Sequence, residues 1–264
     1  MSIGSRMNLF HNAIAGLCVG LLVGMTGMGG SSLMAPILIF LFHFKAKYAV
    51  GADLAYGAIS KIFGAWAHKR SGNVDMRLVW QLAAGSIPAS LVGVYALHWI
   101  DKRNGAAAER MITDVLGYAL LLVAIILLVR SLPKVEAWFE QRQPYVPKHQ
   151  FGWAVLVGVV GGFLVGLTSI GGGTLFGVAL ILIFGLKPRQ TIGTDIFHGC
   201  LLSAVAAIGH VYAGDVNWNL VAGLLVGAIP GVMVGSMLTT KMPDTMLRPA
   251  LGAILLLIGL KTIG

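Results

Sequence analysis

Charge is what this sequence has least of. Only 11% of its 264 residues are Asp, Glu, Lys or Arg, where a soluble domain carries about 25%. With 57% hydrophobic residues and a mean hydropathy of +0.84, it cannot cover a water-facing surface. It reads as an integral membrane protein. Acidic residues are rarest, ten against nineteen basic, for a formal charge of +9. The basic residues fall mostly between apolar runs, at Lys45 and Lys47, Lys69 and Arg70, Lys102 and Arg103, Arg142 and Lys148, Lys187 and Arg189. That placement suits orientation signals and headgroup anchors in lipid, and also attraction of an anionic solute to a pore mouth. It gives no reason to expect a nucleic-acid partner. There are two cysteines, Cys18 and Cys200, both in apolar segments and not at ligand spacing, so they read as small core residues. No zinc motif is present. The glycine-rich stretches lack the Gly-Lys-Ser/Thr of a phosphate-binding loop and follow no strand. No nucleophile, base and orienting group can be assembled from spacing. The expectation is therefore no enzyme, no cofactor and no metal. No polar stretch is long enough for a separate soluble domain; the longest is Ser131 to Gln150.

At roughly 20 residues per spanning helix, the length allows at most about ten spans. Apolar runs occur at about Leu9–Met25, Leu33–Phe44, Leu54–Ala67, Leu78–Ile100 and Met111–Val129. After the linker they recur at about Phe151–Leu167, Leu175–Leu186, Ile192–Tyr212, Leu220–Leu238 and Met246–Ile263. All are expected to be helices, which satisfy their own backbone in lipid. The run Leu33–Phe44 is too short to cross easily. Gly16, Gly20 and Gly24 give the first run a smooth face for close helix contact. The first run resembles a signal peptide but is expected to be retained, because the internal repeat begins inside it.

That repeat is the strongest signal. A shift of 142 residues, without a gap, places Gly24, Thr26, Gly29 and Gly30 on Gly166, Thr168, Gly171 and Gly172. It places Lys45 on Lys187, Asp53 on Asp195, His68 on His210 and Pro88 on Pro230. Shared hydrophobicity would not align Asp, His, Lys and Pro. Residues 1–130 are the first transmembrane repeat, 131–150 a polar linker and 151–264 the second repeat. Five elements per half would place the halves in opposite orientation, whereas four real spans per half would leave them parallel. The five-and-five, inverted arrangement is favoured. The expected fold class is thus an all-α polytopic integral membrane protein, with about eight to ten transmembrane helices in two homologous halves and broken helices.

Matched, broken apolar segments in duplicated halves point to the binding site of a secondary transporter. The breaks are Gly24 to Ser32 and Gly166 to Thr174. Backbone that leaves the helix in lipid must be buried in protein or line a wet cavity. Free N–H groups and hydroxyls there suit an oxyanion. The candidate substrate-binding residues are Thr26, Gly29, Gly30, Ser31 and Ser32, with Thr168, Ser169, Gly171, Gly172, Gly173 and Thr174. The competing reading is a glycine-packed crossing whose hydroxyls bond their own backbone. Asp53 and Asp195 read either as N-caps of the third helix of each half or as ionisable groups carrying a proton or sodium ion. His198 lies three residues after Asp195 on the same face and joins them as an ion-coupling candidate. Lys61 either counters an anion, reaches an acid such as Asp114, or snorkels to the interface. His68 and His210 read first as interface anchors. Pro88 and Pro230 should bend equivalent helices, as hinge or static kink.

Several of these strings carry a family resemblance. Gly166 to Gly173, Lys187-Pro188-Arg189, Thr191-Ile192-Gly193-Thr194 and Ser71-Gly72-Asn73-Val74-Asp75-Met76-Arg77 are similar to the TauE/SafE sulfite exporter family, also called TSUP. The resemblance covers nearly the whole chain. It implies a multi-pass permease of the bacterial or archaeal inner (plasma) membrane. Its implied cargo is small sulfur-containing or organic-acid anions, such as sulfite, thiosulfate or organosulfonates, coupled to a proton or sodium gradient. The expected partners are that anion and membrane lipid, and the sequence is compatible with a homo-oligomer. One departure stands out. The family commonly has Gly-Thr-Ser after the turn, and this chain has Gly193-Thr194-Asp195 and Gly51-Ala52-Asp53. An acidic residue there disfavours direct contact with an anion and suits a coupling cation. A passive anion channel and a non-transporting membrane scaffold or assembly factor are the alternatives.

Overall fold

The computed structural model describes residues 9–26, 34–40, 42, 44–104, 106–132, 134–135, 137, 147–170, 172–239 and 244–263. The protein is an all-α membrane protein. Its main helices are α1 (Leu9–Thr26), α2 (Met34–Phe40), α3 (Ala46–Arg70), α4 (Met76–Asn104) and α5 (Ala106–Arg130), then α6 (Gln150–Thr168), α7 (Leu175–Leu182), α8 (Pro188–Ala213), α9 (Trp218–Thr239) and α10 (Asp244–Ile263). Five stretches are long and apolar enough to cross a membrane by length and composition, within α4, α5, α6, α8 and α9. Trp66, Trp80 and Trp153 are exposed toward one end of the bundle and Trp99, Tyr212 and Trp218 toward the other, as expected of aromatic belts at two interfaces.

Glycine explains the packing. Without side chains, helix backbones can touch. A Cβ on Gly16 would meet the Leu224 backbone and one on Gly20 the Ala228 backbone, so α1 and α9 run side by side in one direction. The same contacts recur 142 residues on with the halves exchanged: Gly158 against Leu82 and Gly162 against Ser86 join α6 to α4. By contrast α3 and α8 are antiparallel. Gly51 faces the Asp215 backbone, Gly57 faces Ser203 and Gly64 faces Ile196. Gly193 returns the first of these contacts by facing Asn73, the equivalent of Asp215.

Equivalent residues meet at two places. Cys200 Sγ donates to the carbonyl of Ala58 at 3.6 Å, and Gly259 lies against the carbonyl of Gly117. Both pairs are 142 apart. A pseudo-two-fold axis therefore passes between α3 and α8 and between α5 and α10. Because these helix pairs are antiparallel, the axis lies across the bundle, and the halves are inverted.

Direction also exposes the breaks. α4 and α6 run together, and α4 and α8 both oppose α3, so α6 and α8 point the same way. The chain between them must double back. Gly166, near the end of α6, lies against Ser90, midway along α4. Thus α6 ends beside the middle of the longer α4. The eight residues of α7 rise about 12 Å, well short of crossing a hydrocarbon core about 30 Å thick. The turns that link long helices are capped in matched fashion. Asp75 Oδ1 accepts from Leu78 N at 3.0 Å and Asn217 Oδ1 from Leu220 N at 3.2 Å, each filling a vacant bond of a first turn. Pro88 and Pro230 sit inside α4 and α9 as expected.

One sequence expectation needs correction. Asp53 and Asp195 are not N-caps. α3 begins at Ala46 and α8 at Pro188, so both acids lie about two turns inside. The helices start earlier because Lys45 and Lys187 take extended backbone before them and Pro188 fixes the first turn of α8.

Candidate functional site

α3 and α8 cross at the centre of the molecule, and their middle turns carry charge. Asp53 is 1% exposed and Lys61 8%. Both sit on α3, with Asp195 and His198 opposite on α8. Lys61 interacts electrostatically with Asp195 and Asp53. Its Nζ lies 3.4 Å from where a Cβ of Gly199 would stand, with the Gly172 carbonyl 3.9 Å from that same point. The lysine therefore reaches the second break. It neither snorkels nor meets Asp114, which is exposed on α5.

The second break closes over these charges. Ser169 Oγ donates to Asp53 Oδ2 at 2.7 Å, a bond between the halves. The backbone N–H of Ala35, at the start of α2, also bonds Asp53. Ser169 has φ 59°, the one non-glycine residue with positive φ among the described residues. Such backbone normally belongs to glycine, and Gly27 holds the equivalent place in the first half. Strain of this kind persists where the surroundings over-determine it; here the hydroxyl is held by a buried carboxylate. We expect Ser169→Ala to lower stability by about 2 kcal/mol through loss of a charge-assisted bond. Ser169→Gly should lose the same bond but recover about 1 kcal/mol by relieving the backbone. Thermal melting of the two purified variants checks that order.

His198 is buried on the far side. Its Nε2 is hydrogen-bonded with Ser86 Oγ of α4 at 2.9 Å, and its ring stands edge-on to Phe176 of α7 at 4.5 Å between centroids. Four buried polar atoms in this region have no hydrogen-bond partner: Asp53 Oδ1, Asp195 Oδ1, His198 Nδ1 and Thr174 Oγ1. Orphaned polar atoms are costly in an apolar interior. Their concentration around one lysine marks a place built to receive something. Among the described residues, no three His, Cys, Asp or Glu side chains are arranged to hold a metal ion.

The sequence candidates divide accordingly. Asp53, Asp195, His198, Ser169, Gly172 and Thr174 contribute to or border the centre. Gly173 is half-buried beside them. Thr168 is buried, but its Oγ1 donates to the Leu164 carbonyl at 2.7 Å and accepts from Ile170 N at 3.2 Å, so its hydroxyl serves its own helix end. Thr26 ends α1; its side chain, with Gly29, Gly30, Ser31, Ser32 and Gly171, lies outside the described residues. Ser86 was not foreseen, since the second half has Ala228 in its place.

A second polar cluster ties the halves at one end of the bundle. Lys47 Nζ pairs with Asp101 Oδ2 at 2.6 Å and lies 3.9 Å from Asp215 Oδ1. His98 Nδ1 and His210 Nδ1 each lie 3.7 Å from Asp215 Oδ2. His210 is fully buried, and its Nε2–H donates to the Gly166 carbonyl at 3.1 Å. It braces the end of α6 rather than anchoring at an interface. At the other end the position of Asp215 is held by the neutral Asn73.

Comparison with known proteins agrees with this architecture. The family model described as "Sulfite exporter TauE/SafE" matches residues 12–262. The chain is 41% identical over 250 residues to the probable membrane transporter protein YjnA of Bacillus subtilis (strain 168), covering 95% of this chain and 98% of that one. It is 29% identical over 251 residues to the probable membrane transporter protein YdhB of the same organism, covering 90% and 96%. No solved structure matches. A helical membrane bundle with inverted halves, a family model spanning nearly its full length and transporter relatives matched end to end lead to one assignment: the chain belongs to the TauE/SafE sulfite exporter family of membrane transporters.

Proposed function

We propose that the protein is a secondary active transporter of small sulfur-containing anions, such as sulfite, thiosulfate or organosulfonates, driven by a proton or sodium gradient across the plasma membrane. The observation that carries this reading is the buried centre between α3 and α8. It holds one lysine, two carboxylates and four partnerless polar atoms. A permanently closed, purely structural core has no use for such groups, which are expensive away from water. The name of the matching family supports sulfite as the first anion to try.

The substrate sits where α6 ends, bordered by Gly172, Thr174 and Lys61. Asp53 and Asp195 carry the coupling ion. Alternating access follows from rocking one half against the other about the axis between α3 and α8. The polar cluster around Asp215 closes one end, and it must separate for that end to open. The test is uptake of labelled sulfite, thiosulfate and a sulfonate into proteoliposomes, each competed by the other two. Saturable uptake with mutual competition is expected. No saturable uptake of any of the three would refute the substrate class.

A further inference from the structure

His198 is held from two sides by neighbours that have no equivalents in the other half. Its Nε2 is hydrogen-bonded with Ser86 Oγ at 2.9 Å, and its ring meets the Phe176 ring at 63° with centroids 4.5 Å apart. The phenyl ring in turn needs Gly161, where an added Cβ would stand 2.5 Å from Phe176 Cζ. A shift of 142 residues puts Tyr56 in the place of His198, Ala228 in that of Ser86, Met34 in that of Phe176 and Val19 in that of Gly161. Val with Met in one half stands against Gly with Phe in the other, a trade of bulk that keeps the volume. The four equivalent positions differ together, and all four bear on one imidazole. Packing alone does not demand that, since a tyrosine fills the same place in the first half.

The ring is 1% exposed, and its Nδ1 has no partner. Buried polar atoms are rarely left so. His98 and His210 both lie beside Asp215, but no carboxylate among the described residues pairs with His198. Its contacts are a hydroxyl and a phenyl ring, so an imidazolium there would be a buried charge without a counter-ion. The neutral ring has one N–H and one acceptor nitrogen. Ser90 Oγ, one turn along α4, gives its hydrogen to the Ile87 carbonyl at 2.8 Å; Ser86 Oγ turns to the ring instead. A hydroxyl that donates to Nε2 puts the ring's own hydrogen on Nδ1.

Resting on the transporter reading above, we infer that His198 is a substrate-binding residue rather than an ion-coupling one. It is a neutral donor whose Nδ1–H meets an oxygen of the anion, and Ser86 is the positioning residue that selects this tautomer. Thr174 Oγ1, two residues before Phe176 and also partnerless, donates to a second oxygen. Neutral donors suit a centre that also holds Asp53 and Asp195. They grip an oxyanion by charge-assisted hydrogen bonds and add no charge for the carboxylates to neutralise. The ring keeps its hydrogen throughout the cycle. Two fixed donors favour anions with at least two acceptor oxygens.

The test measures KM and maximal rate for uptake of labelled sulfite, thiosulfate and a sulfonate into proteoliposomes, per folded protein. It compares wild type with Ser86→Ala, His198→Gln and His198→Asn. Ser86→Ala installs the residue of the other half, where Ala228 packs against Gly20 as Ser86 packs against Gly162, so the helix crossing is kept. Without the hydroxyl the ring is free to adopt the other tautomer, and KM should rise on the order of fivefold as the competent fraction falls. His198→Gln reaches toward Ser86 but has no N–H at the Nδ1 position. It should raise KM by a factor on the order of 10 to 100, as for loss of a hydrogen bond to a charged group. His198→Asn, which keeps an N–H close to Nδ1, should recover part of that loss. The response to imposed proton and sodium gradients should stay as in wild type. An unchanged KM in Ser86→Ala, or equal KM values for the two His198 variants, would overturn the inference and leave the transporter reading standing. Ser86→Ala decides the matter if a His198 variant fails to fold. Loss of the gradient response in His198→Gln with KM unchanged would overturn it in favour of a coupling role. No saturable uptake of any of the three anions by wild type would overturn both readings together.

Discussion

Replacing Asp53 by asparagine should stop gradient-driven uptake while leaving the protein folded and still able to exchange anion for anion. The substitution keeps the shape of the side chain and an oxygen to accept from Ser169 Oγ, now at 2.7 Å. What it removes is the ability to gain and lose a proton. The centre then lacks one of its two titrating carboxylates, so the anion can bind but the empty carrier cannot reset. Net uptake is expected to fall on the order of 100-fold, the kinetic equivalent of losing about 3 kcal/mol. Exchange of internal for external anion should persist within about threefold, a change worth under 1 kcal/mol. Equal loss of both activities would mean that Asp53 serves structure rather than coupling.

The second large effect concerns packing. Gly166 is fully buried where α6 meets α4. A Cβ there would run into the oxygen, carbon and Cα of Ser90, all backbone atoms that cannot rotate away. Its own carbonyl accepts from His210, so the helix end cannot shift without losing a buried bond. Gly166→Val should therefore cost about 3 kcal/mol or more, at the top of the overpacking range, and reduce the folded yield sharply. Gly152→Ala is the control. It lies on the same helix with nothing within 4 Å of the added carbon and should melt like wild type. A Gly166→Val protein that melts normally would refute the backbone-to-backbone contact.

Much of the architecture was legible in the sequence because duplication prints its own register. The 142-residue shift aligned Asp53 with Asp195 and Pro88 with Pro230, and the glycines at Gly16 and Gly20 do pack against a neighbouring helix. Other features were out of reach for physical reasons. The start of α3 was placed too late, because Lys47 and Asp53 read as a polar turn; their charges are tolerated inside the helix only because partners arrive from elsewhere. Those partners are distant in sequence. Asp53 meets Ser169, 116 residues away, and Lys61 lies in the field of Asp195 and Asp53 rather than near the exposed Asp114. Spacing along one chain gives the face of a helix but not which helix covers it. His210 looked like an interface residue for the same reason: nothing local shows that Asp215 folds back toward it. Ser86 has no counterpart in the other half, so the repeat could not flag it.

The central claim is that one buried centre holds the anion and couples it to a proton or sodium gradient. The most direct measurement follows the fluxes at once: labelled anion entering proteoliposomes, with internal pH and internal sodium read by trapped dyes. The account predicts that adding the transported anion outside, under an inward gradient of each ion in turn, brings one of the two ions in step with uptake, and that Asp53→Asn abolishes that ion's entry. Anion entry without movement of either ion, or ion entry that ignores the anion, would contradict it.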